Sequence, residues 1–186
     1  FQRLRKHSEE EAIEKQVALF FQRIHIRIQS LTLMTIHPKR TFYQRVNMAQ
    51  IRPNWDEIWM DFASNIARRS PDPNFKVGCC IVSQDNCQVL AIGYNGDHKG
   101  GSNVRESLEP GQSGFIHAEI NALIKLDYNN PKKKTLYITL SPCKQCAKAI
   151  INGGIDRVVY RDAYRCTSGI ELLREHKIET IHYSSL

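Results

Sequence analysis

The sequence has no apolar run approaching the roughly 18 residues that a membrane-spanning helix requires, although 41% of its 186 residues are hydrophobic. It also lacks a recognisable secretory leader: basic residues occur near Phe1, but no apolar core with a small-residue cleavage site follows them. Internal repeats and low-complexity segments are missing as well. We therefore expect no membrane attachment and a cytoplasmic location.

The chain contains six cysteines. An even number invites a disulfide framework, but nothing signals secretion, and cytosolic thiols stay reduced. Cys79 and Cys80 lie in an apolar run, so we expect them to be buried strand residues, as free cysteines usually are. Disulfides are therefore not expected.

The net charge of +7 is concentrated in the first 52 residues. Residues 1–52 hold ten Lys/Arg and four Glu, whereas residues 53–186 hold sixteen Lys/Arg and fifteen Asp/Glu, a net charge of +6 against +1. The basic character is thus weak support for nucleic-acid binding by residues 53–186. We predict a basic, partly helical extension over residues 1–52, followed by one compact domain over residues 53–186.

The origin of the N-terminal segment has several interpretations. Residues 1–47 are interpreted as a variable extension, or as sequence upstream of an initiator at Met48. A dedicated basic helix that binds a partner is the alternative.

Helices and strands are predicted to alternate along residues 53–186. Asn54 can cap a helix with Glu57 at its third position, and the apolar stripe of this helix is predicted at Trp55, Ile58, Trp59, Phe62 and Ile66. Two apolar segments, 77–83 and 89–93, favour an antiparallel hairpin.

A polar, glycine-rich loop over residues 97–114 follows the hairpin and is a place for substrate contacts. Further strands are predicted at residues 135–140, 157–160 and 179–183, and helices at 117–125, 143–152 and 168–175. In the first of these helices, Ile120, Leu123 and Ile124 are expected to face inward. This alternation predicts an α/β layered domain whose later strands run parallel.

Two short clusters contain three possible metal ligands and one carboxylate. His117 and Glu119 form the first, and Cys143 and Cys146 follow Pro142 in the second, with 22 residues between Glu119 and Pro142. Cysteines three apart point the same way from a helix, and the helix N-terminus stabilises their thiolates. If the two helix starts face each other, the three ligands form a zinc site with its fourth position open to water.

The carboxylate two residues from a ligand is well placed to move the protons of that water. H-x-E followed by P-C-x-x-C is the known signature of zinc deaminases, which supports a catalytic site. A structural zinc site is the alternative and needs a fourth Cys or His. Cys166, His98 and His176 are available for that role.

From about Trp55 to Tyr183, the chain resembles the cytidine and deoxycytidylate deaminase superfamily, and most of all its deoxycytidylate (dCMP) deaminase branch. The stretches that carry the resemblance are Lys76-Val77-Gly78, Gly93-Tyr94-Asn95-Gly96, His117-Ala118-Glu119-Ile120-Asn121-Ala122, Leu136-Tyr137-Ile138-Thr139-Leu140-Ser141-Pro142-Cys143, Cys146-Ala147-Lys148-Ala149-Ile150 and Gly154-Ile155-Asp156-Arg157-Val158-Val159-Tyr160. The resemblance implies a three-layer α/β/α fold around a five-stranded mixed sheet. It also implies Zn²⁺-dependent hydrolysis of dCMP to dUMP and ammonia, as part of pyrimidine nucleotide metabolism, by a homo-oligomer that is a dimer or hexamer.

The resemblance further implies roles for single residues. His117, Cys143 and Cys146 are expected to hold zinc, and Glu119 to carry protons to the ring nitrogen and then to the leaving ammonia. Asn95 is expected to contact the sugar hydroxyl, for which an amide can both donate and accept. Tyr164 is expected to pack on the base, as aromatic rings commonly do. A turn residue at Asn95 and a half-buried loop aromatic at Tyr164 are the alternatives.

A nucleoside monophosphate also needs a phosphate site. Arg105 is the first candidate, because an arginine fork matches phosphate oxygens, and Lys99 and His98 are weaker candidates. Ser141, in front of Pro142, is included among the substrate-binding candidates. A solvated surface charge is the alternative for each cation in this loop.

The sequence also departs from the resembled branch. Many members carry a longer insert before H-A-E with an additional zinc site, whereas only 20 residues, none of them cysteine, separate Gly96 from His117 here. A second zinc site is therefore not expected, and regulation by dCTP and dTTP is open. The short loop also leaves open a different substrate, such as another cytosine nucleoside or nucleotide.

Two further functions stay open at this point. One is a deaminase of nucleic acid, such as transfer RNA adenosine, although those relatives usually have Glu where this chain has Ser141. The other is a non-catalytic zinc-binding module, against which the presence of Glu119 argues. The preferred interpretation is an enzyme that takes a small nucleotide and no nucleic acid.

Overall fold

The computed structural model describes residues 52–109 and 111–186. The predicted N-terminal extension over residues 1–52 thus lies outside the described residues except for Arg52, and stays a prediction. The described helices are α1 (Trp55–Ala67), α2 (Ala118–Leu123), α3 (Lys144–Asn152) and α4 (Ser168–Glu175). The strands are β1 (Gly78–Ser83), β2 (Val89–Tyr94), β3 (Lys134–Leu140), β4 (Arg157–Asp162) and β5 (Glu179–His182), and a 3₁₀ turn (Tyr183–Ser185) follows.

The five strands form one mixed sheet in the order β2-β1-β3-β4-β5. β1 pairs antiparallel with both β2 and β3, whereas β3, β4 and β5 are parallel. Parallel neighbours need a crossover, and α3 and α4 supply the two crossovers. The predicted hairpin, the parallel later strands and the five-stranded mixed sheet are confirmed.

Helices cover both faces of the sheet and make three layers. α1 covers one face, where Met60 and Ala63 pack with Cys80 and Val82 of β1. The other face packs against α2, α3 and α4, and there β1 contributes Cys79 and Ile81. Because alternate strand residues point to opposite faces, the central strand β1, covered on both faces, is buried at every position.

α1 begins where the sequence predicts, since the Asn54 side chain accepts a hydrogen bond from the Glu57 N–H at 2.7 Å. Its predicted apolar stripe is wrong at two positions: Trp55 and Ile58 are 48% and 38% exposed. The buried residues are instead Met60, Ala63 and Ala67. The reason is steric, because the helix lies so close to β1 that a Cβ at Gly78 would clash with the backbone of Ala63 and Ala67.

The same kind of contact sets the position of α2. A Cβ at Gly93 would clash with the Ala118 carbonyl and the Ala122 N–H, so glycine lets the helix backbone rest on β2. Ala118 and Ala122 are accordingly fully buried. Ile124, predicted to face inward, is 66% exposed and lies just past the helix end.

A half-buried ion pair ties α1 to the middle of the sheet. Arg157 Nη1 on β4 donates to Asp56 Oδ1 at 2.6 Å, and the Tyr137 hydroxyl on β3 donates to the same oxygen at 2.6 Å. Burial by itself raises the pKa of Asp56. The hydrogen bonds from Arg157 and Tyr137, with the charge of Arg157, outweigh burial and hold that pKa below its ordinary value of 3.8.

Within the described part of the chain, no helix has both the length and the apolar character needed to cross a bilayer.

We predict that Asp56→Asn lowers the free energy of unfolding by about 1–3 kcal/mol at pH 6, because the charged hydrogen bonds are lost. A carboxyl whose pKa is lower in the folded state stabilises the protein above its unfolded pKa, and this contribution is lost as the pH falls through the folded value. The difference from wild type should therefore shrink from pH 6 to pH 3 in urea unfolding. Asp61→Asn, at an exposed position of the same helix, is the control, and an equal Asp56→Asn effect at both pH values would contradict the assignment.

Candidate active site

The candidate active site lies at one edge of the sheet, where four segments meet. β2, β3 and β4 end at this edge and β1 begins there, because Gly78 pairs with Tyr94 and Leu140 pairs with Asp162. The crevice outside the carboxyl ends of strands is where open α/β sheets bind ligands. A cavity of about 240 Å³ opens at this edge, and its wall includes Asn95, His117, Glu119, Ser141 and Cys143.

The three predicted metal ligands come together at the starts of two helices. His117 is the N-cap of α2, Cys143 is the N-cap of α3, and Cys146 lies in the first turn of α3. The His117 Nδ1 atom lies 3.3 Å from Cys146 Sγ and 3.6 Å from Cys143 Sγ. All three ligand atoms fall within 4.8 Å of one another.

These distances fit a tetrahedral zinc ion. Zinc–sulfur bonds of about 2.3 Å and zinc–nitrogen bonds of about 2.0 Å place neighbouring ligand atoms roughly 3.6–3.8 Å apart. One imidazole and two thiols are donors that zinc prefers, and three protein ligands leave a fourth position for a water or a substrate. The residues present therefore fit a catalytic zinc ion.

The electrostatics of the cluster favour metal binding. The thiol of Cys146 and the His117 ring both hydrogen-bond to Cys143, which lowers the Cys143 pKa to about 3. The same hydrogen bond and burial raise the pKa of Cys146, because the pair keeps one proton between its two sulfurs. A thiolate ready at Cys143 is the form that binds a metal.

Glu119 lies one position past the start of α2 and is only 4% exposed. Burial raises the pKa of its carboxyl to about 7, with His117 acting in the opposite direction. Its side chain belongs to the same cavity as His117 and Cys143. A carboxyl that exchanges its proton near neutral pH suits acid–base work.

The alternative of a structural zinc site finds no fourth ligand among the described residues. There, His117, Cys143 and Cys146 are the only group of three or more His, Cys, Asp or Glu that could hold a metal ion. The Cys166 thiol instead contacts the Ser168 hydroxyl, His98 pairs with Asp97, and His176 contacts the backbone of α4.

Asn95 follows β2 and is held firmly in the cavity wall. Its Oδ1 accepts a hydrogen bond from the Val77 N–H at 2.8 Å, and its Nδ2 donates to the Phe75 carbonyl at 2.8 Å. A second contact joins Nδ2 to Asp72 Oδ2 at 3.4 Å. The side chain therefore has one fixed orientation beside the cavity.

Ser141 and Tyr164 form another part of the wall, and the two residues are connected. The Ser141 hydroxyl is buried and accepts a hydrogen bond from the Tyr164 N–H at 2.7 Å. The ring of Tyr164 is half-buried and lines the cavity. Ser141 thus fixes the backbone that carries the aromatic ring.

The three cations proposed for the phosphate have different surroundings. Arg105 lines the cavity, but its guanidinium forms an ion pair with Asp72 at 2.6 Å. His98 is 72% exposed in its side chain and pairs with Asp97, and Lys99 is exposed. Neither His98 nor Lys99 is among the residues that line the cavity.

The residues of the cavity wall that sequence reasoning missed include Asp72, Phe75 and Arg165. Asp72 stands in Ser70-Pro71-Asp72-Pro73, a segment that predicts only the end of a helix. Phe75 is 57% exposed beside the cavity, and Arg165 directly follows Tyr164. Two signals were available in the sequence: Asp72 is a charged residue between two prolines, and Arg165 is a cation next to the candidate Tyr164.

The chain is similar to known proteins over this same region. A family model, the cytidine and deoxycytidylate deaminase zinc-binding region, matches residues 53–162, which is more than half of the chain. Human deoxycytidylate deaminase is 37% identical over 114 residues, covering 57% of this chain and 64% of the human protein. The chain thus spans less than two thirds of the length of that relative.

Two phage proteins are matched over nearly their whole length. Deoxycytidylate deaminase of Mycobacterium phage D29 is 35% identical over 124 residues, covering 59% of this chain and 95% of the phage protein. The crystal structure of dCMP deaminase from cyanophage S-TIM5, in complex with dCMP and dUMP, has a TM-score of 0.62 and 33% identity, and the match covers 71% of this chain and 98% of the phage chain. The structural match confirms the α/β fold of the described domain. Since the family model matches more than half of the chain, the chain belongs to the zinc-binding cytidine and deoxycytidylate deaminase family.

Proposed function

We propose that the chain hydrolyses the 4-amino group of dCMP and releases dUMP and ammonia. The observation that carries this proposal is the cluster of three zinc-compatible ligands, two of which, His117 and Cys143, line the same cavity as the buried carboxyl of Glu119. The similarity to proteins named deoxycytidylate deaminase, and to one crystallised with dCMP and dUMP, supports the choice of substrate.

His117, Cys143 and Cys146 are the proposed zinc ligands. A zinc ion held by them supplies Lewis-acid activation of a water molecule at neutral pH. Cys143 and Cys146 are held by the first turn of α3, and His117 is positioned by the packing of α2 on Gly93.

Glu119 is the proposed proton carrier of the reaction. Hydrolysis forms a bond between the water oxygen and C4 of the cytosine ring, and breaks the bond between C4 and the amino nitrogen. Glu119 takes one proton from the attacking water and gives it to ring nitrogen N3. It then takes the second proton from the same oxygen, now bonded to C4, and gives it to the amino group, which leaves as ammonia. A pKa of about 7 lets one carboxyl both accept and donate protons near neutral pH.

Asn95, Ser141 and Tyr164 are proposed to position the nucleoside. The Asn95 oxygen keeps a second lone pair besides the bond from Val77, which can accept a hydrogen bond from a sugar hydroxyl. Tyr164 offers a ring for packing against the base, and Ser141 holds that ring in place. Phe75 adds a second aromatic ring to the same cavity.

A small nucleotide, rather than a nucleic acid, is the proposed partner. Ser141 is buried and supports the cavity wall through Tyr164, at the position where relatives that act on transfer RNA usually have Glu. A dimeric or hexameric assembly and a cytoplasmic location stay predictions.

Ammonia release tests the proposed reaction. We expect the zinc-loaded protein to turn over dCMP with a higher kcat/KM than deoxycytidine, cytidine or cytosine, because the proposed substrate is a monophosphate. A single-stranded RNA containing adenosine should give no release. Equal kcat/KM for dCMP and deoxycytidine would contradict the substrate assignment.

Zinc content tests the ligand assignment. We predict that Cys143→Ser lowers bound zinc from about one ion per chain to far below one, because serine is a poor zinc ligand. Cys166→Ser is the matched control, since this exposed cysteine lies outside the ligand cluster. Atomic emission measures the metal, and loss of zinc from the Cys166→Ser protein would support a four-ligand structural site instead.

Glu119→Gln separates metal binding from chemistry. The variant keeps the size of the side chain but cannot carry a proton, so we predict that it retains zinc and that kcat falls by about 10²–10⁴-fold. Glu175→Gln, at the exposed end of α4, is the control and should keep its activity. Substantial turnover by the Glu119→Gln protein would remove Glu119 from the mechanism.

A further inference from the structure

Asp72 is a buried carboxylate in the wall of the cavity, and the proposed reaction gives it no role. The residue is only 2% exposed, although a charged group is costly to remove from water. Buried charges are retained where an opposite charge and hydrogen bonds compensate for the lost hydration. The partners of Asp72 therefore indicate what this carboxylate does.

Arg105 balances the charge of Asp72. Its Nη1 donates to Asp72 Oδ1 at 2.8 Å and to Oδ2 at 2.6 Å, and its Nε donates to the Ser107 carbonyl at 3.1 Å. The Arg105 side chain is 7% exposed, so the pair is shielded from solvent. This ion pair offsets the buried charge, but the carboxylate makes three further contacts, with its own segment and with Asn95.

The backbone that follows Asp72 is held by the same carboxylate. Its Oδ1 accepts hydrogen bonds from the N–H groups of Asn74 at 2.9 Å and Phe75 at 3.2 Å. An aspartate that accepts from the N–H two residues further on closes an Asx turn. Pro71 and Pro73, on either side, have a fixed φ angle and narrow the conformations of the segment. The carbonyl of Phe75 is thereby held in one place beside the cavity.

Asn95 is held by this segment through two contacts. Its Nδ2 donates to the Phe75 carbonyl at 2.8 Å, and the same nitrogen lies 3.4 Å from Asp72 Oδ2. A carboxylate can only accept hydrogen bonds, so it attracts the NH₂ group of the amide and repels the amide oxygen. Asp72 thus acts on Asn95 twice, directly through Oδ2 and indirectly through the backbone of Phe75.

We propose that Asp72 is a positioning residue that sets the direction of the Asn95 amide and thereby the recognition of the sugar hydroxyl of the nucleotide. The proposal rests on the proposed function, which assigns Asn95 to that hydroxyl. The sugar of dCMP has one free hydroxyl, at C3′, because C2′ carries hydrogen and O5′ carries the phosphate. Asp72 keeps the NH₂ group of Asn95 turned to the protein, which leaves the amide oxygen to accept from this hydroxyl.

Binding of the product and of its dideoxy analogue tests the proposal without turnover. dUMP and 2′,3′-dideoxyuridine monophosphate differ only in the 3′ oxygen, so the ratio of their Kd values measures recognition of the hydroxyl. Isothermal titration of the zinc-loaded full chain gives both values, and we expect wild type to bind dUMP more tightly.

Asp72→Asn should reduce this preference by about 3–10-fold, the size of one neutral hydrogen bond. The amide oxygen of the variant can keep the N–H groups of Asn74 and Phe75, which leaves its NH₂ group facing the Nδ2 of Asn95. Two NH₂ groups in contact repel, so Asn95 loses the direction that it has in wild type.

A second variant separates positioning from charge balance, since Asp72→Asn alone leaves Arg105 without its anion. Asp72→Asn combined with Arg105→Gln removes both charges, and removing a whole buried pair is less destabilising than removing one partner. The double variant should show the same reduced ratio. Arg105→Lys keeps a charge opposite Asp72 and should keep the wild-type ratio, while both Kd values rise by similar factors.

Asp127→Asn is the control for this series. The Oδ1 of Asp127 accepts from the Asn129 N–H at 2.9 Å, which is the same turn contact that Asp72 makes with Asn74. Asp127 is exposed and is not among the residues that line the cavity. The variant should therefore change neither Kd.

Three outcomes would overturn the proposal. They are a wild-type ratio of one, an unchanged ratio in Asp72→Asn, and a wild-type ratio restored in the double variant, which would limit Asp72 to balancing the charge of Arg105. Ammonia release from dCMP by wild type is measured separately. A preference for dUMP that depends on Asp72, without ammonia release, would refute the proposed reaction and support the positioning role. Ammonia release with an unchanged ratio would do the reverse.

Discussion

The close contact between α2 and β2 at Gly93 is the constraint on which the site depends. Without a side chain at this position, the α2 backbone rests directly on the strand. Asn121 adds a hydrogen bond from its Nδ2 to the Tyr94 carbonyl at 2.8 Å, which fixes the rotation of the helix. Because His117 and Glu119 sit at the start of α2, this contact sets how far they lie from the cysteines of α3.

Two ion pairs, one half-buried and one buried, serve different parts of the molecule. Asp56 and Arg157 lie on the α1 side of the sheet and join a helix to two strands. Asp72 and Arg105 lie in the cavity wall and join an irregular loop to the segment before β1. A loop of this kind has few apolar contacts of its own, so a buried charge pair gives it a defined position that hydrophobic packing alone does not provide.

Much of the fold and the metal centre could be predicted from sequence because their signals are local. The strand of Cys79 and Cys80 is apolar at successive positions, and the spacing of Cys143 and Cys146 within one helical turn is visible without a structure. The predicted apolar stripe of α1 was wrong at two positions, because the distance between α1 and β1 decides which residues of the helix contact the sheet. Ala63 and Ala67 are buried since only small side chains fit there, whereas the larger Trp55 and Ile58 remain exposed.

The cavity wall was harder to predict because its contacts join distant segments. Asp72 and Arg105 are separated by 33 positions, and no periodic pattern connects them. Arg105 was therefore expected to face a ligand, because no sequence pattern indicates that a carboxylate lies beside it. The pairing of Ser141 with the Tyr164 backbone is hidden for the same reason, since it crosses from the end of β3 to the end of β4.

The hydrogen bonds of Asn95 have a consequence for selectivity. Rotating its amide by half a turn would set the NH₂ group against the Val77 N–H and the oxygen against the Phe75 carbonyl and Asp72, so the flipped arrangement loses every partner. The residue therefore presents an acceptor with a fixed direction. As the proposed sugar contact, it distinguishes a hydroxyl that donates a hydrogen from an ether or a carbonyl at the same carbon. This amide therefore selects the sugar by its hydrogen-bond donor rather than by its size.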